Sequence, residues 1–280
     1  MKKLLSSVVV VCMVLFMSGA ASAAVFEEVR FDGKPYNLDG NLWVLQETQA
    51  SLSAADDTMY TLRLIALRPD GSVLNERFWF EVTPPSAGQS YIVELPEVSG
   101  YNPIIMNRKF VHALRDEVFL TVERTPGGSR YFTIVALEPL SKTREAVFLF
   151  DSRRMARAIL SGDYIGLYKV MLHVYDTGTN ATLDVSARKD YYQGKGIYDE
   201  KGYILQPLAV SAQRYKTVEL GEVDSRGLHQ LKTTIDLFGY DDSDHIATID
   251  CVMSYVPEVG FWRVLSSKIV PDSDLKFWTR

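Results

Sequence analysis

The chain has 280 residues, 30 basic and 35 acidic side chains, and a formal net charge of −5 at pH 7. A chain of this length can bury about three quarters of its unfolded surface, so it folds around a core without disulfide staples. The charges are dispersed with no basic tract, which disfavours nucleic acid as a partner.

The N-terminus reads as a secretory leader. Lys2 and Lys3 give a positive start, Leu4 to Met17 is apolar, and Ala21-Ser22-Ala23 has the small-x-small form of a cleavage site. The apolar stretch is short for a membrane span, and no positive stop-transfer flank follows it. The expected product is an exported chain, periplasmic or extracellular, cut after Ala23. Loss of Lys2 and Lys3, with no acid in the leader, takes the net charge from −5 to −7. Cys12 leaves with the leader, so Cys251 has no partner for an internal disulfide. No second long apolar run follows, so no membrane span is expected after cleavage. The short lysine-rich start looks bacterial, and the Asn180-Ala181-Thr182 sequon is therefore not read as a glycan site.

The remainder reads as hairpins. In residues 58–82, Leu62, Leu64 and Ala66 alternate with Thr61, Arg63 and Ile65, Pro69-Asp70-Gly71 turns the chain, and Phe78, Trp79 and Phe80 return. The Pro84-Pro85 stretch, residues 82–90, interrupts strand character and is the linker candidate. Residues 117–137 repeat the hairpin design, with Val118, Leu120 and Val122 on one face and a turn at Gly127-Gly128. Residues 152–160 carry two turns of helix signal behind Asp151, with Arg153, Arg154 and Arg157 as a solvated face. Further hairpins are expected over 168–187, in short form around Asp199 to Gly202, and over 244–270.

The expected fold is all-β, built from antiparallel hairpins. Main turns near residues 70, 127, 178 and 258 have the loose period of propeller blades, on the order of 50 residues. A pair of β-sandwiches divided near residues 85–100 stays open. The expected divisions are the leader 1–23, a β-rich region 24–98 and a propeller-like region 99–280.

Few residues carry chemistry. A phosphate cradle needs glycines between a strand and a helix; strand-like residues follow Gly127-Gly128, so these glycines are read as a turn. Asp241, Asp242, Asp244 and His245 form the densest ligand-type cluster, and Ca²⁺ is the cofactor such oxygens would hold. The alternative is an acidic turn before a strand. Tyr191, Tyr192, Tyr198 and Tyr203 crowd together among glycines. On loops they would contact a sugar or peptide, and across strands they would pack. His112, His173, His229 and His245 make no zinc-enzyme pair. Cys251 lies in an alternating apolar run, where burial is expected.

Three pieces of residues 95–137 carry a resemblance: Gly100-Tyr101-Asn102-Pro103, Asp116-Glu117-Val118 and Gly127-Gly128-Ser129. Together they resemble segments of secreted bacterial proteins with FG-GAP or VCBS-type repeats, and residues 184–207 and 239–255 look like later segments. The resemblance implies a propeller-like fold and no catalytic activity. It also departs at one point. Family loops that bind Ca²⁺ are rich in aspartate, whereas Phe110 to Arg115 here offer no carboxylate, so no calcium site is carried over to that loop.

The expected function is a noncatalytic exported module of the cell envelope or exterior, with an envelope protein or glycan as partner. The alternative is a hydrolase acting on an extracellular polysaccharide or peptide through strand-borne carboxylates.

Overall fold

A computed structural model describes residues 32–279, apart from 56–57, 70, 87–88, 138–145, 154–158 and 211. The leader and the core of the expected 152–160 helix lie outside the described residues; within that stretch Ser152 and Arg153 form a turn and Leu160 opens a strand. No helix among the described residues is long and apolar enough to cross a membrane.

The fold is all-β, with seventeen strands among the described residues in four antiparallel sheets. Sheet 1 runs in chain order through β1 (Tyr36–Asp39), β2 (Leu42–Ser51), β3 (Met59–Leu67), β4 (Arg77–Thr83) and β5 (Tyr91–Leu95). Sheet 2 holds β6 (Tyr101–Arg108), β7 (Glu117–Glu123), β8 (Arg130–Leu137) and β9 (Ala146–Asp151). Sheet 3 holds β10 (Leu160–Ile165), β11 (Lys169–Val174) and β12 (Thr179–Asp184), closed by the C-terminal β17 (Lys276–Thr279). Sheet 4 is a meander of longer strands, β13 (Ala212–Val223), β14 (His229–Phe238), β15 (His245–Val256) and β16 (Phe261–Pro271).

The proline-rich 82–90 stretch is not a linker between domains. It joins β4 to β5, which pair within sheet 1. The change of sheet falls later, between Leu95 and Tyr101. The expected hairpin around residues 199–202 reduces to one isolated bridge, Tyr198 with Ile204. It sits in a segment that also holds a 3-10 turn, Ser186–Arg188, and the one α-helix among the described residues, α1 (Lys189–Gly194).

Sheet 2 is buried on both faces. Val118, Leu120, Val122, Val135 and Leu137 pack with Leu62, Leu64, Phe78 and Phe80 of sheet 1. From the opposite face Phe119, Phe132, Ile134 and Phe150 pack with sheets 3 and 4. No core cluster among the described residues joins sheet 3 to sheet 1. Strand β7 is accordingly buried at every position, as a strand covered on both faces must be. Sheet 4 has one dry face: Leu231, Thr233, Ile235 and Leu237 point inward, and Lys232, Thr234 and Asp236 alternate outward. Cys251 is buried on that dry face, and burial pushes its thiol up to about 12.

The glycines of the β7–β8 turn turn the chain. Gly127 adopts a φ of 69°, which glycine takes without steric cost. Its N–H donates to the Glu123 carboxylate at 3.0 Å, and the Gly128 N–H donates to the Thr125 carbonyl at 2.9 Å.

Glu117 opens β7 with a fully buried carboxyl. One oxygen accepts the Phe110 N–H at 2.7 Å and the Val111 N–H at 3.1 Å. The other faces the Arg115 Nε at 3.5 Å. Burial outweighs these contacts and raises its pKa from 4.5 to about 6. The folded protein therefore binds this proton more tightly than the unfolded chain. Stability should fall as pH rises from about 4.5 to 6, by about 2 kcal/mol. Urea unfolding across that window checks it; Glu117→Gln should remove this component of the slope.

Candidate functional site

Two sequence candidates, the acidic 241–245 turn and the tyrosine-rich 191–203 segment, meet in space. The turn between β14 and β15 is closed by backbone bonds from Gly239 N–H to the Asp244 carbonyl at 2.7 Å and from Asp244 N–H to the Asp241 carbonyl at 2.9 Å. Gly239 has to be glycine. A Cβ there would lie 2.1 Å from the Tyr164 hydroxyl and 2.2 Å from the Asp244 carboxylate.

Asp244 is the centre of the cluster, with its side chain buried. It accepts the Tyr192 hydroxyl at 2.9 Å, the Tyr164 hydroxyl at 3.3 Å and the Tyr240 N–H at 2.9 Å. Arg188 reaches it from the 3-10 turn at 3.2 Å. The same guanidinium donates to Asp272 at 2.8 Å, to Asp274 at 2.6 and 2.8 Å, and to the His245 carbonyl at 2.5 Å. This fork geometry is what arginine offers and lysine does not. The hydrogen bonds to Asp274 lead the causes that raise the Arg188 pKa still further above the usual arginine range. Burial raises the Tyr164 and Tyr192 hydroxyls, so both stay protonated donors.

The four metal candidates face different partners. Asp241 accepts from the Ser243 hydroxyl at 2.6 Å and from Lys195 at 3.2 Å, and the Ser243 contact leads in holding its pKa down at about 2. Asp242 pairs with Arg214 at 2.6 Å on the surface. His245 turns away from Asp244, with Nδ1 2.6 Å from Asp272 and Nε2 3.3 Å from Asp236. Among the described residues no group of three or more histidine, cysteine, aspartate or glutamate side chains is placed to hold a metal ion.

The tyrosines divide as well. Tyr192 and Tyr198 are fully buried, so neither is a surface contact for a ligand. Tyr198 packs on Tyr168 with ring centroids 4.8 Å apart, and its hydroxyl reaches the Ile165 carbonyl at 2.6 Å. Tyr191 is half-buried, with the Lys195 ammonium 5.4 Å from its ring centre. Tyr203 alone of the four is exposed. Sequence reasoning missed Arg188, Asp272, Asp274 and Tyr164. Asp272 and Asp274 lie more than eighty positions from Arg188, and no local pattern joins such residues.

The arrangement is an internal polar joint. It ties the 186–199 segment to the end of sheet 4 and to β10, with its charges met by opposite charges or hydrogen bonds. Residues 159–270 match the family model of the YybI C-terminal domain. The match covers β10–β12, the joint apart from Asp272 and Asp274, and nearly all of sheet 4, which is less than half of the chain. No curated protein matches the chain, and no solved structure matches it.

Proposed function

We propose that the chain is an exported, noncatalytic β-rich module that binds or braces at the cell envelope or exterior. The observation carrying this reading is the fate of its densest ionisable group. Asp244, Arg188, Asp272, Asp274 and His245 are engaged with one another, and a carboxylate held by four donors is spent on stability. The leader pattern of residues 1–23 supports the compartment. The architecture is read as two face-to-face sandwiches sharing sheet 2, because that sheet contributes to both cores. Such a rigid stack presents edges, turns and outer faces for contact.

Fractionation of the native host tests the proposal. The protein should be recovered outside the cytoplasm with Ala24 at its N-terminus. Recovery in the cytoplasm with the leader intact would refute it.

A further inference from the structure

Strand register lays out the outer face of sheet 3. Tyr164, Val170, Leu172, Ala181 and Leu183 point into the core, so the alternate residues of β10, β11, β12 and β17 share the opposite face. Cross-strand pairing aligns those residues in rows. Asp163, Met171, Thr182 and Trp278 make one row. Lys169, Asp184 and Lys276 make the next. The four strands span about 14 Å at their usual spacing. Trp278 is 50% exposed and Met171 47% exposed; Thr182, between them, is the small residue of the three. The Lys169 ammonium reaches across β12 to 5.8 Å from the Trp278 ring centre, which draws the two side chains together over that strand. The other three tryptophans are not available in this way, since Trp79 and Trp262 are buried and Trp43 is half-buried. The charged row is unusual too. Lys169, Asp184 and Lys276 are direct neighbours of opposite sign, yet none of them forms an ion pair with any described residue. Asp184 accepts the Ser186 N–H at 2.9 Å through one oxygen. Ammonium and carboxylate groups therefore stand unpaired beside an exposed indole.

We propose that this face binds an uncharged glycan chain of N-acetylated hexosamines, the backbone of a bacterial wall. The proposal names a partner for the exported module and rests on that reading for its compartment only. A pyranose ring presents a face of C–H groups and a rim of hydroxyl and acetamido groups. The C–H face, with its partial positive charge, suits the negative face of an indole. The rim needs a few donors and acceptors at set places. Lys276, Asp184 and Thr182 supply them around Trp278, which lies directly opposite Thr182. Charge separates this partner from the others. Two lysines and two aspartates cancel on the face, so a polyanion or an anionic bilayer gains no attraction there. A protein interface is built on an apolar centre depleted of charge, and one indole and one thioether beside four charged side chains do not make such a centre.

The test pairs two measurements on the natively processed protein: co-sedimentation with purified peptidoglycan sacculi in high salt, and tryptophan emission during titration with chitohexaose. The parent protein should sediment with the sacculi. Chitohexaose should shift its emission and release it from them. Trp278→Ala should lower both affinities about tenfold and abolish the emission change. Its melting temperature should hold, because the ring is half-exposed on a short edge strand. Trp278→Phe should restore most of the binding, and Lys276→Gln should weaken it a few-fold with the emission change intact. Binding to neither probe, or to only one of them, overturns the proposal, as does undiminished binding by Trp278→Ala. Sedimentation that high salt abolishes marks adsorption by charge and overturns it too. Self-association through Trp278, or binding to phosphatidylglycerol vesicles in place of the glycan, also overturns it. Export and glycan binding are read separately, so either can fail alone.

Discussion

Asp244→Ala is expected to cost about 3–5 kcal/mol of folding stability, the range for removing one member of a buried charged pair. The carboxylate accepts two tyrosine hydroxyls, one backbone N–H and one guanidinium N–H. Alanine would leave the Tyr192 hydroxyl buried without its acceptor and the Tyr164 hydroxyl with only its 3.5 Å contact to Tyr192, and an unsatisfied buried donor bears its full desolvation cost. Arg188 would keep Asp272 and Asp274, so the loss should come from the tyrosine side of the joint. Asp244→Asn retains one acceptor oxygen and the side-chain shape, and should cost less. Urea midpoints of the three proteins check the order; a loss under about 1 kcal/mol for alanine would contradict the structural role given to this residue.

Trp262→Ala is expected to cost about 3–5 kcal/mol as well, by a different mechanism. Trp262 sits on β16 where sheets 2 and 4 meet. Its ring centroid lies 5.6 Å from Tyr255, 5.9 Å from Phe150 and 6.1 Å from Phe110. Its indole N–H donates to the Leu149 carbonyl at 3.0 Å, so one residue anchors the edge of sheet 2 to sheet 4. Alanine would open a cavity among three aromatic rings and leave that carbonyl without its donor. Beyond the lost stability, the core between sheet 2 and sheets 3 and 4 should loosen relative to the sheet 1–sheet 2 core, and a single unfolding transition should broaden or split. Trp262→Phe keeps most of the packing and should cost less than half as much. Calorimetry distinguishes these outcomes.

The sequence made several of the paired strands readable where alternation met a turn with a mechanism. Leu62, Leu64 and Ala66 lie on a core face as their spacing implies, and β15 and β16 pair around Pro257 to Gly260. The β13–β14 hairpin went unread, although Asp224 to Gly227 close it with a Gly227 N–H to Asp224 carbonyl bond of 2.9 Å. Two-sided burial of β7 was hidden for a physical reason. Phe119 and Thr121 look like the second face of a half-solvated strand until another sheet covers them. Helix α1 was missed because two tyrosines in six residues suggest strand, and its tertiary contacts override that propensity. The acidic 241–245 turn and the tyrosines each drew attention as isolated clusters. Their meaning lay in one another and in Arg188, which no spacing rule connects to Asp244.

A melting curve in EDTA, followed by millimolar Ca²⁺, tests most directly whether the Asp244 cluster is a closed internal joint. A ligand that binds only the native state must raise the melting temperature. With Arg188, Lys195, Arg214 and the tyrosine hydroxyls already holding these carboxylates, the predicted result is superimposable curves. A rise of several degrees on adding Ca²⁺, reversed by EDTA and abolished in Asp244→Asn, would contradict the account.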